Sequence, residues 1–369
     1  MKNFFLQILT LGSLLGGFQG QAQSPLARFL GTPSCASSSC HGGAGERRDQ
    51  VLLWERRDVH RRAASTLNSA RSEQLAAALG LTNQLGQSTP AQSPRCTVCH
   101  APNATVPADL RLGELDRSEG VACETCHGPA EPWLRSHTRP GPPRDDFTYG
   151  DKVAAGLRDL RNLRVRANGC VACHENVDRE LLAAGHPELI FELDGQTRQE
   201  PRHWVEKPGH NGAQAWLVGQ AVAWREVAWF ATQPREKTDR LTAREAGLAW
   251  LVRRVGGALK IPATDPDAFA RAVADRPWAS NHTKSALRAL ADSAGDFRHS
   301  NVPPDHQARR AERLVLGLDR LVAASEAALA KTLDRDLQEL FDLAQSRPDF
   351  APERFAAALV SLAAKLPAD

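Results

Sequence analysis

The chain has 369 residues, 42 % hydrophobic and 24 % charged, and its 46 Lys and Arg against 43 Asp and Glu leave a formal net charge of +3. That balance excludes a nucleic-acid binder driven by a basic surface, and the hydrophobic share excludes a wholly disordered or fibrous chain. Eight cysteines stand beside one methionine, one tyrosine and an aromatic content of 6 %, thin for a large close-packed core.

Lys2, an apolar run over residues 4–17 and the small-residue signal Gly20-Gln21-Ala22 predict a secretory signal peptide over residues 1–22, cleaved after about Ala22. The run is short of the roughly 20 apolar residues that a spanning helix needs. No later apolar run is long enough either, so no transmembrane segment is expected in the mature chain, and the expected location is the periplasm. The single methionine departs with the signal.

All eight cysteines lie in residues 35–173, in four pairs. Three read C-x-x-C-H: Cys96-Thr-Val-Cys99-His100, Cys123-Glu-Thr-Cys126-His127 and Cys170-Val-Ala-Cys173-His174. The first, Cys35-Ala-Ser-Ser-Ser-Cys40-His41, ends alike but holds two extra residues, which must bulge out. With 12 histidines in 369 residues, four after four pairs is about a one-in-a-million coincidence. An oxidising compartment allows four disulfides instead, but disulfides have no use for a histidine there. Zinc, held by paired motifs, is the other alternative. C-x-x-C-H is the attachment signature of c-type haem. Two thiols at i and i+3 share one face of a helical turn, and the adjacent histidine reaches the iron. Four covalently attached haem c groups are expected.

A mature chain without methionine leaves histidine as the favoured second ligand, which predicts low potentials. Outside the motifs stand His60, His137, His186, His203, His210, His282, His299 and His306. Position favours His60 after the first motif, His137 after the third and His186 after the fourth. The last three of the eight read as surface residues.

Three segments carry a resemblance: Trp54-x5-His60-x2-Ala63, Gly120-Val-Ala-Cys-Glu-Thr-Cys-His-Gly-Pro-Ala130 and Ala183-Ala-Gly-His-Pro-Glu-Leu-Ile-Phe-Glu-Leu193. Together they resemble the multihaem cytochrome c family whose type member is the tetrahaem electron acceptor of hydroxylamine oxidoreductase, over roughly residues 34–204. The resemblance implies closely stacked haem pairs, mostly with two histidines per iron, and one haem that can lack a distal ligand. His60, His137 and His186 match the distal histidines, His203 occupies a recurring position, and the open site by analogy is that of His100. Which distal histidine serves which haem stays open.

Four haems over residues 35–174 are one per roughly 35 residues, so the cofactors themselves are expected to form the core there, with short helices and Pro/Gly loops such as 139–144. Beyond His210 the pattern turns helical. Residues Ala311, Leu314, Val315, Leu318, Leu321, Val322, Ser325, Ala328 and Leu329 recur at steps of three and four, as do Phe355, Leu359, Leu362 and Leu366. Thr242-Ala-Arg-Glu245 reads as a capping box, Asp265-Pro266 as a helix start, and Trp216, Leu217, Trp224, Val227 and Phe230 as one bulky helix face. The expected fold is mainly α: a haem-packed tetrahaem domain over 23–208, then an α-helical bundle over 209–369 without haem motifs.

The function expected is periplasmic electron transfer between redox proteins, with no nucleic acid as partner and no catalytic residue assigned. The alternative is an oxidoreductase acting on a small nitrogen or sulfur species at an open haem. Oligomeric state is not legible.

Overall fold

A computed structural model describes residues 26–45, 48–138, 148–298, 301–346 and 349–367. The expected signal segment, the loop 139–144 and His299 lie outside the described residues. Among those residues there is no strand, only two isolated bridges, Phe29 with Arg111 and Thr82 with Ser88. The chain is mainly α.

The first half is built from short helices: α1 (Gln50–Arg57), α2 (Ala63–Thr66), α3 (Ala70–Ala78), α4 (Pro94–His100), α5 (Cys123–His127), α6 (Leu134–His137), α7 (Tyr149–Ala154), α8 (Leu163–His174), α9 (Arg179–Ala183) and α10 (Leu193–Gln199). Longer helices follow: α11 (Gly212–Ala231), α12 (Asp239–Leu259), α13 (Pro266–Ala274), α14 (Ser280–Ala291), α15 (Pro304–Ala323), α16 (Ala327–Gln345) and α17 (Pro352–Ala364). The large apolar core draws on residues 163–362. Upstream, buried apolar side chains are small or scattered: Ala64, Ala76, Ala101, Ala122 and Ala130, with Trp54, Leu67, Val106 and Trp133.

Three expectations change. Helix α12 begins at Asp239 with Thr238 as its cap, its hydroxyl accepting from Leu241 N at 3.1 Å. Thr242 lies inside the first turn and donates back to Thr238 O. Both threonines precede a good helix, and the earlier one wins because its backbone is extended, as a cap requires. The periodicity across residues 311–329 is two helices, since Glu326 takes an extended conformation and α16 folds back on α15. Helix α11 is buried on all sides from Ala213 to Trp224, so its tryptophans mark a central helix and not one face; Trp229 alone is 54 % exposed. The start at Asp265-Pro266 forms as expected, Asp265 accepting from Ala268 N at 2.6 Å.

The central helix positions the fourth motif. Leu163, Ala167 and Val171, at four-residue steps on α8, enter the core against α11 and so orient the Cys-x-x-Cys-His at the end of α8.

Helix α10 carries a pH-sensitive cap. Glu192 accepts from the N–H groups of Asp194 and Gly195, yet burial pushes its carboxyl up from 4.5 to about 7. A raised pKa means that the folded chain holds the proton more tightly than the unfolded one. The stability from this group is therefore complete below pH 4.5 and is lost as pH rises to about 7, by up to ~3 kcal/mol. Glu192→Gln, which keeps an acceptor for the cap, is expected to match the parent near pH 4.5 and to exceed it above pH 7. Urea midpoints at the two pH values measure this, and parallel curves for the two proteins would refute it.

Candidate haem-attachment site

Three motifs end helices. Cys96, Cys99 and His100 close α4, Cys123, Cys126 and His127 make up α5, and Cys170, Cys173 and His174 close α8. The i, i+3 thiols therefore share a helical turn. The first motif has no helix: Cys40 N donates to Ser37 O at 2.9 Å and His41 N to Cys35 O at 3.2 Å. That last bond brings His41 back beside Cys35, while Ser37, Ser38 and Ser39 turn into solvent. The expected bulge of two extra residues lies there.

The resemblance segments interlock. Trp54 on α1 donates its indole N–H to Val121 O at 3.0 Å, and Val121 N donates to His60 O at 2.9 Å. Gly120 packs on that backbone so closely that a Cβ would stand 1.9 Å from His60 O, which only glycine permits. Glu124, inside the third motif, accepts from Leu30 N, Gly31 N and Ala130 N at 3.0, 2.8 and 2.6 Å. These bonds tie α5 to the segment that leads into the first motif.

Each of three motif histidines stands opposite one expected distal histidine. Ring centroids are 6.0 Å apart for His41 and His137, 6.3 Å for His174 and His60, and 6.2 Å for His100 and His186. Interplanar angles are 21°, 65° and 74°. For His127, burial pushes the imidazole down to about 4, and the largest charge effect on it is that of His203. Burial likewise lowers His100, His137 and His174, holding them neutral, the form that ligates metal.

Five rings are anchored through Nδ1 to a neutral oxygen: His41 to Gln50 Oε1 at 2.9 Å, His100 to Ala63 O at 3.2 Å, His137 to Leu134 O at 2.8 Å, His186 to Pro187 O at 2.8 Å and His203 to Pro201 O at 3.4 Å. His60 differs, with Asp58 Oδ1 and Glu200 Oε1 both 3.2 Å from Nδ1. Those two carboxylates, Asp58 first, push its pKa up to about 10. An oxygen of this kind accepts, so the network puts a proton on Nδ1 in every one of these rings; the first five keep the Nε2 lone pair for a metal, whereas His60, charged in the metal-free chain, would release its Nε2 proton on binding iron.

Salt bridges place the remaining parts. Arg95, beside Cys96 on α4, donates to Asp178 at 2.9 and 2.7 Å and to Glu180 at 2.7 Å. Asp178 caps α9, and the turn after α9 passes through Gly185 at φ +102° to present His186. The clamp thus brings His186 to His100. Glu175, 0 % exposed and next to His174, pairs with Arg244 of α12 and, at 3.2 Å, with Arg313 of α15. Arg309 and Arg240 hold Glu188 at 2.7 and 2.6 Å. Burial would raise the Glu188 carboxyl, but Arg240, Arg309 and Arg244 outweigh it and hold it at about 2. None of these partners was singled out from the sequence, although Asp58 stands two residues before His60 and Glu188 lies within the third resemblance segment.

The thiols meet across motifs. The thiol of Cys35 lies near enough to Cys123 to raise its pKa, and that of Cys173 near enough to Cys99, which sets the first motif beside the third and the second beside the fourth. Among the described residues, the one set of three His, Cys, Asp or Glu ligand atoms close enough to share an ion is Asp58, His60 and Glu200, and it contains no cysteine. The zinc alternative lacks a thiolate cage there.

Residues 34–128 match the family model described as cytochrome c554 and c-prime. The match supports a multihaem cytochrome c. It spans the first three motifs and ends just after His127, so the fourth motif lies outside it. No curated protein and no solved structure is matched significantly. A c-type cytochrome implies covalently bound haem c, electron transfer and redox partners. No helix among the described residues is long and apolar enough to cross a membrane.

Proposed function

We propose that this chain is a periplasmic tetrahaem cytochrome that relays electrons between redox proteins, each iron held between two histidines. The observation that carries the reading is the histidine spacing of 6.0–6.3 Å in three motif-to-distal pairs. Two imidazoles sharing one metal stand about 6 Å apart, since each metal–nitrogen bond is about 2 Å and ring centre to nitrogen adds about 1 Å. The pairs are His41 with His137, His100 with His186 and His174 with His60. For the fourth, His127 is paired with His203, which occupies a recurring position in the resemblance.

Under this pairing the expectation that the His100 haem is open is replaced, because His186 stands opposite it. The physical cause is the Arg95–Asp178 clamp, which no local pattern announces. The oxidoreductase alternative needs a vacant iron position, and His127 is the motif histidine at which it would lie, since the ring spacings above involve the other three. Adjacency of first with third and second with fourth motif supports short steps for electrons. The haem supplies the redox chemistry; the chain supplies ligands, their orientation and burial.

A pyridine haemochrome assay on the mature protein is expected to return four covalent haems per chain, and electron paramagnetic resonance to show all four low-spin. Zero haem with bound zinc would overturn the cytochrome reading. Four haems with one high-spin site in the parent protein would shift the reading to the oxidoreductase.

A further inference from the structure

His60 is held unlike five of the other candidate ligand rings. His41, His100, His137, His186 and His203 each give the Nδ1 proton to a neutral oxygen. At His60 the single proton lies between two carboxylates, Asp58 Oδ1 and Glu200 Oε1, each 3.2 Å away. Asp58 is buried and also accepts from His60 N at 2.8 Å, so its position is fixed by a tight turn. Glu200 arrives from the far side of the sequence at the end of α10. A histidine whose Nδ1–H is pulled toward an anion becomes a more basic ligand, and a more basic ligand favours ferric over ferrous iron.

We propose that Asp58 and Glu200 are positioning residues that act through His60 and hold the haem between His174 and His60 at the lowest potential in the chain. This rests on the bis-histidine reading given above. An electron on the relay then resides mainly on the other three haems, and the His174 haem is the one that exchanges with the most strongly reducing partner.

The experiment is a potentiometric titration of the whole holoprotein, followed by optical and paramagnetic resonance spectra. Asp58→Asn and Glu200→Gln are each expected to raise one of the four potentials and leave three in place. The double variant should change that haem's redox equilibrium at least tenfold, ~59 mV for one electron. The converse variant Gln50→Glu sets a carboxylate against His41 and should lower a different haem. A double variant whose lowest potential stays put, or whose four potentials all move alike, overturns the proposal. His60→Ala separates the two layers: if no haem becomes high-spin, the axial reading of His60 is wrong, whereas an opened haem with unmoved potentials in the double variant refutes only the carboxylate effect. Metal analysis runs alongside, and a stoichiometric divalent ion lost in Asp58→Asn would make the trio a cation site and refute the proposal as well.

Discussion

Replacing His186 with alanine is expected to turn one haem in four from six-coordinate low-spin to high-spin, and to open it to cyanide or nitric oxide. The ring of His186 stands 6.2 Å from that of His100, and its Nδ1 is tied to Pro187 O at 2.8 Å, which leaves Nε2 for the iron. His186 follows Gly185, whose φ of +102° sets the turn after α9 from which the ring faces His100. Arg95→Leu, which removes the clamp on Asp178 but leaves His186 in place, should give a mixture of low- and high-spin forms. Ligand titration of the alanine variant, one equivalent per chain, measures the effect. Four haems still low-spin and inert to cyanide would remove His186 from the ligand set.

Glu175→Ala is expected to destabilise the fold strongly, by about 3–5 kcal/mol, by undoing its tie to the helical half. The side chain is 0 % exposed and faces two guanidinium groups, Arg244 and Arg313, each itself buried. Removing the carboxylate leaves two like charges without their anion, and that penalty exceeds the worth of the pair itself. Glu175→Gln keeps an acceptor and should lose less. Urea unfolding followed by helical circular dichroism gives the size; a loss under about 1 kcal/mol would show that Glu188 and the carbonyl of Phe191 satisfy the two arginines without it. Because Glu175 follows His174 directly, the same variant should broaden the spectrum of the fourth-motif haem.

The four motifs were legible because the haem attachment they predict demands residue types at fixed local spacing; His60, His137 and His186 were singled out from position and resemblance, and their rings stand opposite motif histidines in the fold. The mainly α fold was legible from period, as in Phe355, Leu359 and Leu362, all buried on α17. Local pattern misplaced the start of α12 and merged α15 with α16, since periodicity does not register a reversal that keeps the apolar face in step. The tryptophans of α11 read as one face for a related reason. A helix surrounded by α8, α10, α12, α13 and α15 is buried all round, and that depends on neighbours distant in sequence.

The residues that steer the histidines were hidden for the same reason. Arg95 and Asp178 are 83 residues apart, Glu175 and Arg313 are 138 apart, and Glu200 reaches His60 across the whole haem-motif region.

Eight cysteines and the four histidines that follow them point by themselves to the proposed haem chemistry, because thioether attachment and the first axial ligand are written in adjacent residues. The small net charge and sparse aromatics take their meaning from that chemistry: few large side chains are buried before Leu163, where the apolar core begins. Only the tertiary structure decided which histidine faces which, that His186 stands opposite His100, and that among the described histidines His60 lies between two carboxylates. Those are distances between residues far apart along the chain, and they depend on packing and buried charge that no local spacing encodes.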